Sequence, residues 1–293
     1  MHLPSRIDSL VLSFLDHYAS DETYLKYMFY QRQGYRLNLK NPRSFSEKIQ
    51  WIKLNDHNPL YTELADKYKV RFYIEKTIGK DYLIPLIGIY KTANDIDFDE
   101  LPEQFVLKCN HGMGCNVICR NKAFLDFEKT KVQLDEWLQT DYSHYKREYH
   151  YKNISPLIVC EQYMKDNDSV ELLDYKFFCI GGNVEMIQVD FDRYKNHKRN
   201  LYDVNWNLLN LRISFPNYTE KKIPKPEKLN EMIEIAKKLS DGFPQVRVDL
   251  FLINNKIYFG ELTFTSGAGF SRYFPRKQDF VLGDKLRLPG LEN

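Results

Sequence analysis

From Val246 the chain alternates apolar and polar residues, Val246-Arg247-Val248-Asp249-Leu250-Phe251, reverses at Asn254-Asn255 and returns through Ile257-Tyr258-Phe259-Gly260-Glu261-Leu262-Thr263. A period of two sends successive side chains to opposite faces of a strand, so this stretch predicts an antiparallel hairpin with one apolar face that must be covered. The same pattern occurs upstream. Tyr175-Lys176-Phe177-Phe178-Cys179-Ile180 turns at Gly181-Gly182-Asn183 and returns through Val184-Glu185-Met186-Ile187-Gln188-Val189, which suits a tight hairpin. Shorter apolar runs at residues 86–90, 105–108 and 157–160 predict further strands.

Helical spacing marks the first quarter instead. Leu10, Phe14 and Tyr18 form one stripe, and Phe45, Ile49 and Ile52 follow the turn Asn41-Pro42-Arg43-Ser44. Two later helices are predicted, one over residues 127–138 and one carrying Leu229, Ile233, Ala236 and Leu239 after Pro226. The expected class is α+β: a mostly helical region over 1–80, a sheet-bearing unit over 81–160, and a hairpin-rich unit over 161–293.

Lys and Arg number 42 against 40 Asp and Glu, too even a balance for a dedicated nucleic-acid binder. No apolar run approaches about eighteen residues, so no membrane span is expected. The first residues show no basic segment before a long apolar stretch, which argues against a signal peptide and for a cytoplasmic protein. Five cysteines, at 109, 115, 119, 160 and 179, include no C-x-x-C pair and read as reduced thiols. Cys109, His111, Cys115 and Cys119 match no standard zinc spacing.

Three clusters carry chemistry. On the last hairpin Arg247 and Asp249 share a strand face, as do Glu261 and Thr263. One cation, two carboxylates and a hydroxyl are hard oxygen chemistry suited to Mg²⁺ held together with phosphates. Ordinary cross-strand ion pairs are the alternative. The second cluster, Lys108-Cys109-Asn110-His111-Gly112-Met113-Gly114-Cys115-Asn116, is a strand ending in lysine before a glycine loop. It matches neither G-x-x-x-x-G-K-[ST] nor G-x-G-x-x-G, and reads either as a phosphate-covering lid or as a plain turn. His111 in it is an acid–base candidate or a local hydrogen-bonding residue. The third, Cys160-Glu161-Gln162-Tyr163-Met164, is an extended segment able to receive a purine edge, followed by Asp166, Asp168, Glu171 and Asp174.

In this order the clusters resemble the ATP-grasp superfamily, and more closely its TupA-like branch, associated with bacterial surface-polysaccharide and teichuronopeptide synthesis. The resemblance runs from about Asn41 to the end. It implies an ATP-grasp fold with Lys67 and Lys108 as nucleotide lysines and His111, Gly112 and Gly114 in the lid loop. Glu161, Gln162, Tyr163 and Met164 would form the adenine hinge, and Asp174 and Lys176 the next nucleotide motif. Lys198 and Arg199, within His197-Lys198-Arg199-Asn200, would join Arg247 as catalytic cations. Asp249, Glu261 and Thr263 would bind metal, Thr263 standing where many members carry Asn.

The implied cofactors are ATP and Mg²⁺, and the implied reaction is ADP-forming carboxylate–amine ligation through an acyl phosphate. The implied partners are a carboxylate substrate, a uronic acid or acidic polymer of a surface glycan, and an amino acid or amino alcohol as the amine. Glycosyl transfer in capsular polysaccharide synthesis and nucleotide binding without turnover stay open as alternatives. If Asp249 and Glu261 bind magnesium, they should form an uncompensated like-charge pair without it, so that neutralising either spares or raises stability while abolishing turnover. If they serve Arg247, removing one should weaken the fold.

Overall fold

The computed structural model describes residues 6–144, 146–167, 172–192, 196–220 and 222–291. Five helices come first: α1 (Arg6–Tyr18), α2 (Asp21–Gln33), α3 (Phe45–Asn55), α4 (Pro59–Ala65) and α5 (Val70–Thr77). Their starts follow side-chain capping. Ser20 accepts from the Thr23 amide ahead of α2, and Ser44 with Glu47 forms a reciprocal capping box ahead of α3, in the turn that the sequence marks.

Next come β1 (Leu86–Tyr90), β2 (Phe105–Cys109), β3 (Asn116–Cys119), α6 (Phe127–Leu138) and β4 (Ile158–Gln162). The four strands form one antiparallel sheet in the order β1-β4-β2-β3. Alternation along β2 sends Phe105 and Leu107 into a core with Leu134 of α6, and leaves Val106 and Lys108 on the other face. The boundary expected at residue 161 falls inside β4.

The remaining elements are β5 (Asp174–Ile180), β6 (Asn183–Phe191), β7 (Lys198–Tyr202), β8 (Arg212–Ile213), α7 (Leu229–Ser240), β9 (Gln245–Ile253), β10 (Lys256–Thr263), β11 (Tyr273–Phe274) and α8 (Lys277–Lys285). Five of the strands make a second antiparallel sheet, ordered β10-β9-β5-β6-β7. Its hairpin turns have φ of 54° and 76° at Gly181 and Gly182, and of 48° and 57° at Asn254 and Asn255. Both central residues are thus left-handed, as a tight two-residue turn demands.

One face of this sheet, with Phe177, Ile187 and Val248, packs on Leu229, Ala236 and Leu239 of α7. Tyr61 and Leu64 of α4 and Val70 and Ile74 of α5 join the same core, so part of the helical region is built into the second sheet. The other face is divided. Phe178, Met186 and Leu201 are closed over by Phe45 and Ile49 of α3 and Leu282 of α8, and the rest of that face is polar. α3 and α8 touch closely at Gly283, where a Cβ would lie 2.0 Å from the Arg43 carbonyl oxygen.

Beside that contact, buried Asp279 accepts from the Ser46 amide at 2.9 Å and from its hydroxyl at 3.0 Å. Burial outweighs these bonds and pushes its carboxyl up to about 6. A raised carboxylate pKa favours the folded state below the unfolded value near 4, and that advantage is lost as pH rises through about 6. Asp279→Asn keeps the acceptor oxygen and removes the charge. Its melting temperature relative to the parent should therefore rise between pH 4 and pH 7, as read by thermal scans across that range.

Candidate functional site

The polar half of the second sheet is assembled by strand register. Asp249 of β9 sits between Lys176 of β5 and Glu261 of β10, and Arg247 sits opposite Thr263. The Glu261 pairing depends on a bulge between Phe259 and Glu261. Counting back from the Asn254-Asn255 turn without it would set Glu261 opposite Val248, on the apolar face. Gly260 fills the bulge, where a Cβ would stand 3.0 Å from both the Asp249 carbonyl oxygen and the Phe251 ring.

Arg247 grips Asp249 with two bonds, Nε to Oδ1 at 2.6 Å and Nη2 to Oδ2 at 2.7 Å, and reaches Glu261 Oε1 at 2.7 Å. Lys176 donates to Asp249 and, at 2.7 Å, to Asp174. The expectation of an uncompensated carboxylate pair is therefore corrected, because two cations lie between and beside the carboxylates. Burial works against the Asp249 charge, yet Arg247 and Lys176 outweigh it and hold the carboxyl below its ordinary range. Glu261 is freer. Its side chain is 43% exposed, and its described contacts, from Arg247 and from Thr263 Oγ1 at 3.3 Å, both fall on Oε1.

Two facing carboxylates, one of them with an oxygen to spare, and a nearby hydroxyl fit Mg²⁺, which takes one or two carboxylates with phosphates and water. No group of three or more His, Cys, Asp or Glu placed to hold a metal ion is present among the described residues, and magnesium bound with phosphates does not need one.

The first sheet carries a second ion-paired cluster. Register puts Glu161 of β4 beside Val106 and on the face of Lys108, and Glu161 accepts from Lys108 Nζ at 2.6 Å and from Arg71 Nη1 at 2.9 Å. Arg71, on α5, had no sequence signal beyond its charge. Glu161 thus turns inward to two cations, Gln162 is exposed, and Tyr163 and Met164 are half-buried beyond the strand end. Asp168 and Glu171 lie outside the described residues.

Lys67 is coupled to both clusters. Its Nζ donates to the Gly112 carbonyl oxygen of the glycine loop. Burial lowers its pKa, Glu261 opposes that fall and Lys108 adds to it, so its ammonium feels both clusters. The loop itself is anchored by Asn110, which donates to Asp66 and to the Ser155 carbonyl oxygen, each at 3.0 Å, and accepts from the Leu157 amide at 2.7 Å. Asp66 in turn accepts from the Tyr68 amide at 2.8 Å, fixing the start of α5 beside Lys67.

Gly114 has φ of 74° and Gly112 lies under Tyr142, where a Cβ would approach the ring to 2.5 Å. Gly112→Val should therefore push the loop off Tyr142 and weaken nucleotide binding at least tenfold with little loss of fold, as titration with ATP and a thermal scan would read. His111 is buried at the ring edge of Tyr142, where burial lowers its pKa and the Thr140 and Trp137 backbone opposes that fall.

The basic segment divides by strand alternation. Arg199 shares the polar face and binds Asp190 Oδ1 at 2.6 Å, as His197 does at 3.0 Å. Lys198 faces the other way, to Glu220 and the Tyr218 ring. Grouping Lys198 with Arg199 is therefore corrected, since neighbours on one strand cannot share a face.

A second buried cluster had gone unread in the sequence. Lys53 of α3 donates to the carbonyl oxygens of Lys146 at 2.7 Å and Ala268 at 3.1 Å, and Thr265 donates to Glu148. Burial drops Lys53 to about 7 although Glu148 opposes it. The small-residue loop after β10, left-handed at Gly267, Ala268 and Gly269, is thus tied down by α3. The five cysteines are free and buried, and no helix among the described residues is long and apolar enough to cross a membrane.

The family model of TupA-like ATP-grasp proteins matches residues 47–287. No curated protein matches significantly. Among solved structures, D-alanine–D-alanine ligase from Bacillus anthracis is similar at 16% identity and a TM-score of 0.43, over 75% of this chain and 63% of that one. The Helicobacter pylori enzyme of the same name gives 13% and 0.37, over 76% and 61%. N5-carboxyaminoimidazole synthase from Aspergillus clavatus gives 12% and 0.38, over 69% and 44%. The chain thus spans less than two thirds of each of these relatives.

Proposed function

Because the chain belongs to the TupA-like ATP-grasp family, we propose that it is an ADP-forming carboxylate–amine ligase. The carboxylate would be that of a uronic acid or acidic polymer in bacterial surface-glycan synthesis, and the amine that of an amino acid or amino alcohol. The observation that carries the reading is the pair of ion clusters, Lys108–Glu161 and Arg247–Asp249–Glu261, both of which act electrostatically on Lys67. Five cations, Lys67, Arg71, Lys108, Lys176 and Arg247, there meet four carboxylates, Glu161, Asp174, Asp249 and Glu261. That arrangement puts cations, most of them paired with carboxylates, where a polyphosphate and its ion would lie, and it needs no covalent nucleophile.

Bound ATP with magnesium would supply the phosphoryl group and an electrophilic clamp on it. The residues of the chain do the rest. Lys67 and Lys108 hold phosphate oxygens, Lys108 leaving Glu161 to Arg71 as it does so. Glu261, through its spare oxygen, and Asp249 would hold the ion, with Thr263 as a neutral contact. Arg247, fixed by two carboxylates, presents a charge where negative charge develops on the transferring group. Gly112 and Gly114 let the loop lie close over the phosphates and exclude water. The substrate carboxylate would take the γ-phosphoryl group with departure of ADP, and the amine would then displace phosphate, losing a proton, to leave the amide.

The test is product identity. Incubation with ATP, magnesium, candidate uronic acids and candidate amines should release ADP and phosphate together with an amide. Stoichiometric AMP and pyrophosphate would replace the acyl-phosphate route by adenylation, and sugar-nucleotide consumption without ATP use would favour glycosyl transfer.

A further inference from the structure

Arg147 is 4% exposed and stands in a left-handed backbone conformation, φ 55°, that residues with a side chain rarely adopt. The corner between α1 and α2 holds it there. Its Nη1 donates to Asp16 Oδ1 at 2.8 Å and its Nη2 to the Asp16 carbonyl oxygen at 3.3 Å, its Nε lies 2.6 Å from Asp21 Oδ1, and its guanidinium stands 4.1 Å from the centre of the Tyr24 ring. His144 Nε2 lies 2.9 Å from Asp16 Oδ2, and the Tyr149 hydroxyl donates to Asp21. Three side chains of one short segment thus converge on two carboxylates that flank a single helix corner. Backbone strain of this kind persists only where the surroundings over-determine it.

The same segment carries Tyr142. Asp141 Oδ1 accepts from the Ser143 amide at 2.8 Å and from its hydroxyl at 2.6 Å, and the Ser143 carbonyl oxygen accepts from the Glu148 amide at 2.9 Å. Tyr142 and Arg147 are therefore held in one folded-back unit. At the far end of that unit the Tyr142 ring packs on Gly112 and lies 5.3 Å from the His111 ring, and its hydroxyl is 2.7 Å from the Cys115 sulfur. Two contacts meet at Gly112: the Tyr142 ring, and Lys67 Nζ on its carbonyl oxygen. Lys67 must leave that oxygen to hold a phosphate, and Tyr142 then keeps the loop in place.

We propose that the α1–α2 corner is a latch for the glycine loop. Asp16 and Asp21, acting through Arg147, set where Tyr142 holds Gly112, and so set the affinity for the nucleotide. Arg147 and Tyr142 are positioning residues in this scheme. Both latch helices lie ahead of residues 47–287, the part that the family model matches. The effect on the nucleotide rests on the ligase reading above, whereas the hold on the loop does not.

Two native thiols separate these claims. Cys115 and Cys179 are both buried, the first beside Tyr142 in the loop and the second in the core against α7. The full chain is treated with iodoacetamide and alkylation at each cysteine is timed by peptide mass spectrometry, while binding of magnesium with a non-hydrolysable ATP analogue is measured by isothermal titration. Asp16 and Asp21 have side chains 24% and 31% exposed, so the double variant Asp16→Asn/Asp21→Asn should fold. It should alkylate at Cys115 about tenfold faster, keep Cys179 within about twofold of the parent, and bind the analogue about tenfold more weakly, because the loop opens locally. Arg147→Met should behave likewise, and Arg147→Lys, which keeps the charge, should fall between it and the parent. Unchanged Cys115 alkylation in both the double variant and Arg147→Met overturns the latch. So does equal acceleration at Cys179, which would make these ion pairs a support of the whole fold. Faster Cys115 alkylation at unchanged analogue affinity overturns the link to the nucleotide and leaves the ligase reading standing. Failure of the parent to bind the analogue overturns the ligase reading, and the thiol rates still decide the latch.

Discussion

Asp249→Asn is expected to lower the melting temperature by roughly 6–10 °C and to abolish turnover, whereas Glu261→Gln should abolish turnover at nearly the parent melting temperature. The difference comes from their surroundings. Asp249 is 2% exposed and bonded by Arg247 and Lys176, so neutralising it leaves two buried cations short of a counter-charge. Removing one partner of a buried pair costs about 3–5 kcal/mol. Asn still accepts one bond, and Asp174 and Glu261 remain, which brings the expected cost to about 2–3 kcal/mol, or a few degrees per kcal/mol in a chain of this size. Glu261 is 43% exposed at its side chain, and its loss leaves Arg247 still held twice by Asp249.

The pH dependence has the same origin. A carboxyl held low in the folded state contributes stability above its unfolded value near 4, and loses it as pH falls through the lower folded value. Thermal scans from pH 3 to pH 7 should show the parent losing stability on acidification more steeply than Asp249→Asn. Equal melting temperatures for parent and variant at pH 7 would return Asp249 to the role of a simple metal ligand.

Lys108→Met should weaken ATP binding or kcat/KM by roughly 10- to 150-fold, the loss of one charge-assisted phosphate contact worth about 1.5–3 kcal/mol. Its fold should stay intact. Lys108 is one of two cations on Glu161, and Arg71 keeps its 2.9 Å bond to that carboxylate and its bond to the Ile84 carbonyl oxygen. The measurement is ATP titration alongside a thermal scan. Unchanged affinity with an unchanged melting temperature would make the strand and its glycine loop an ordinary hairpin.

Much of this was written in the sequence. The alternation of Val246 to Phe251, the two turn pairs Gly181-Gly182 and Asn254-Asn255, and the capped start at Ser44 are local statements, set by side-chain period and by which residues tolerate left-handed backbone. They determined an α+β chain of hairpins, and they put Arg247 beside Asp249, because residues two apart on a strand must share a face.

What the sequence could not decide is how those faces meet. Glu261 joins Asp249 only because one residue, Gly260, is extruded as a bulge, and a strict count from the turn gives the opposite face. Lys198 looked equivalent to Arg199 until the register of β7 turned it away from the site. Arg71 reaches Glu161 across 90 residues of chain, and Lys53, Glu148 and Thr265 converge from three separate segments. Periodicity fixes the face of a residue within its own strand or helix. Which faces become a site is fixed by packing, where burying a charge is tolerated only if a distant partner arrives to meet it.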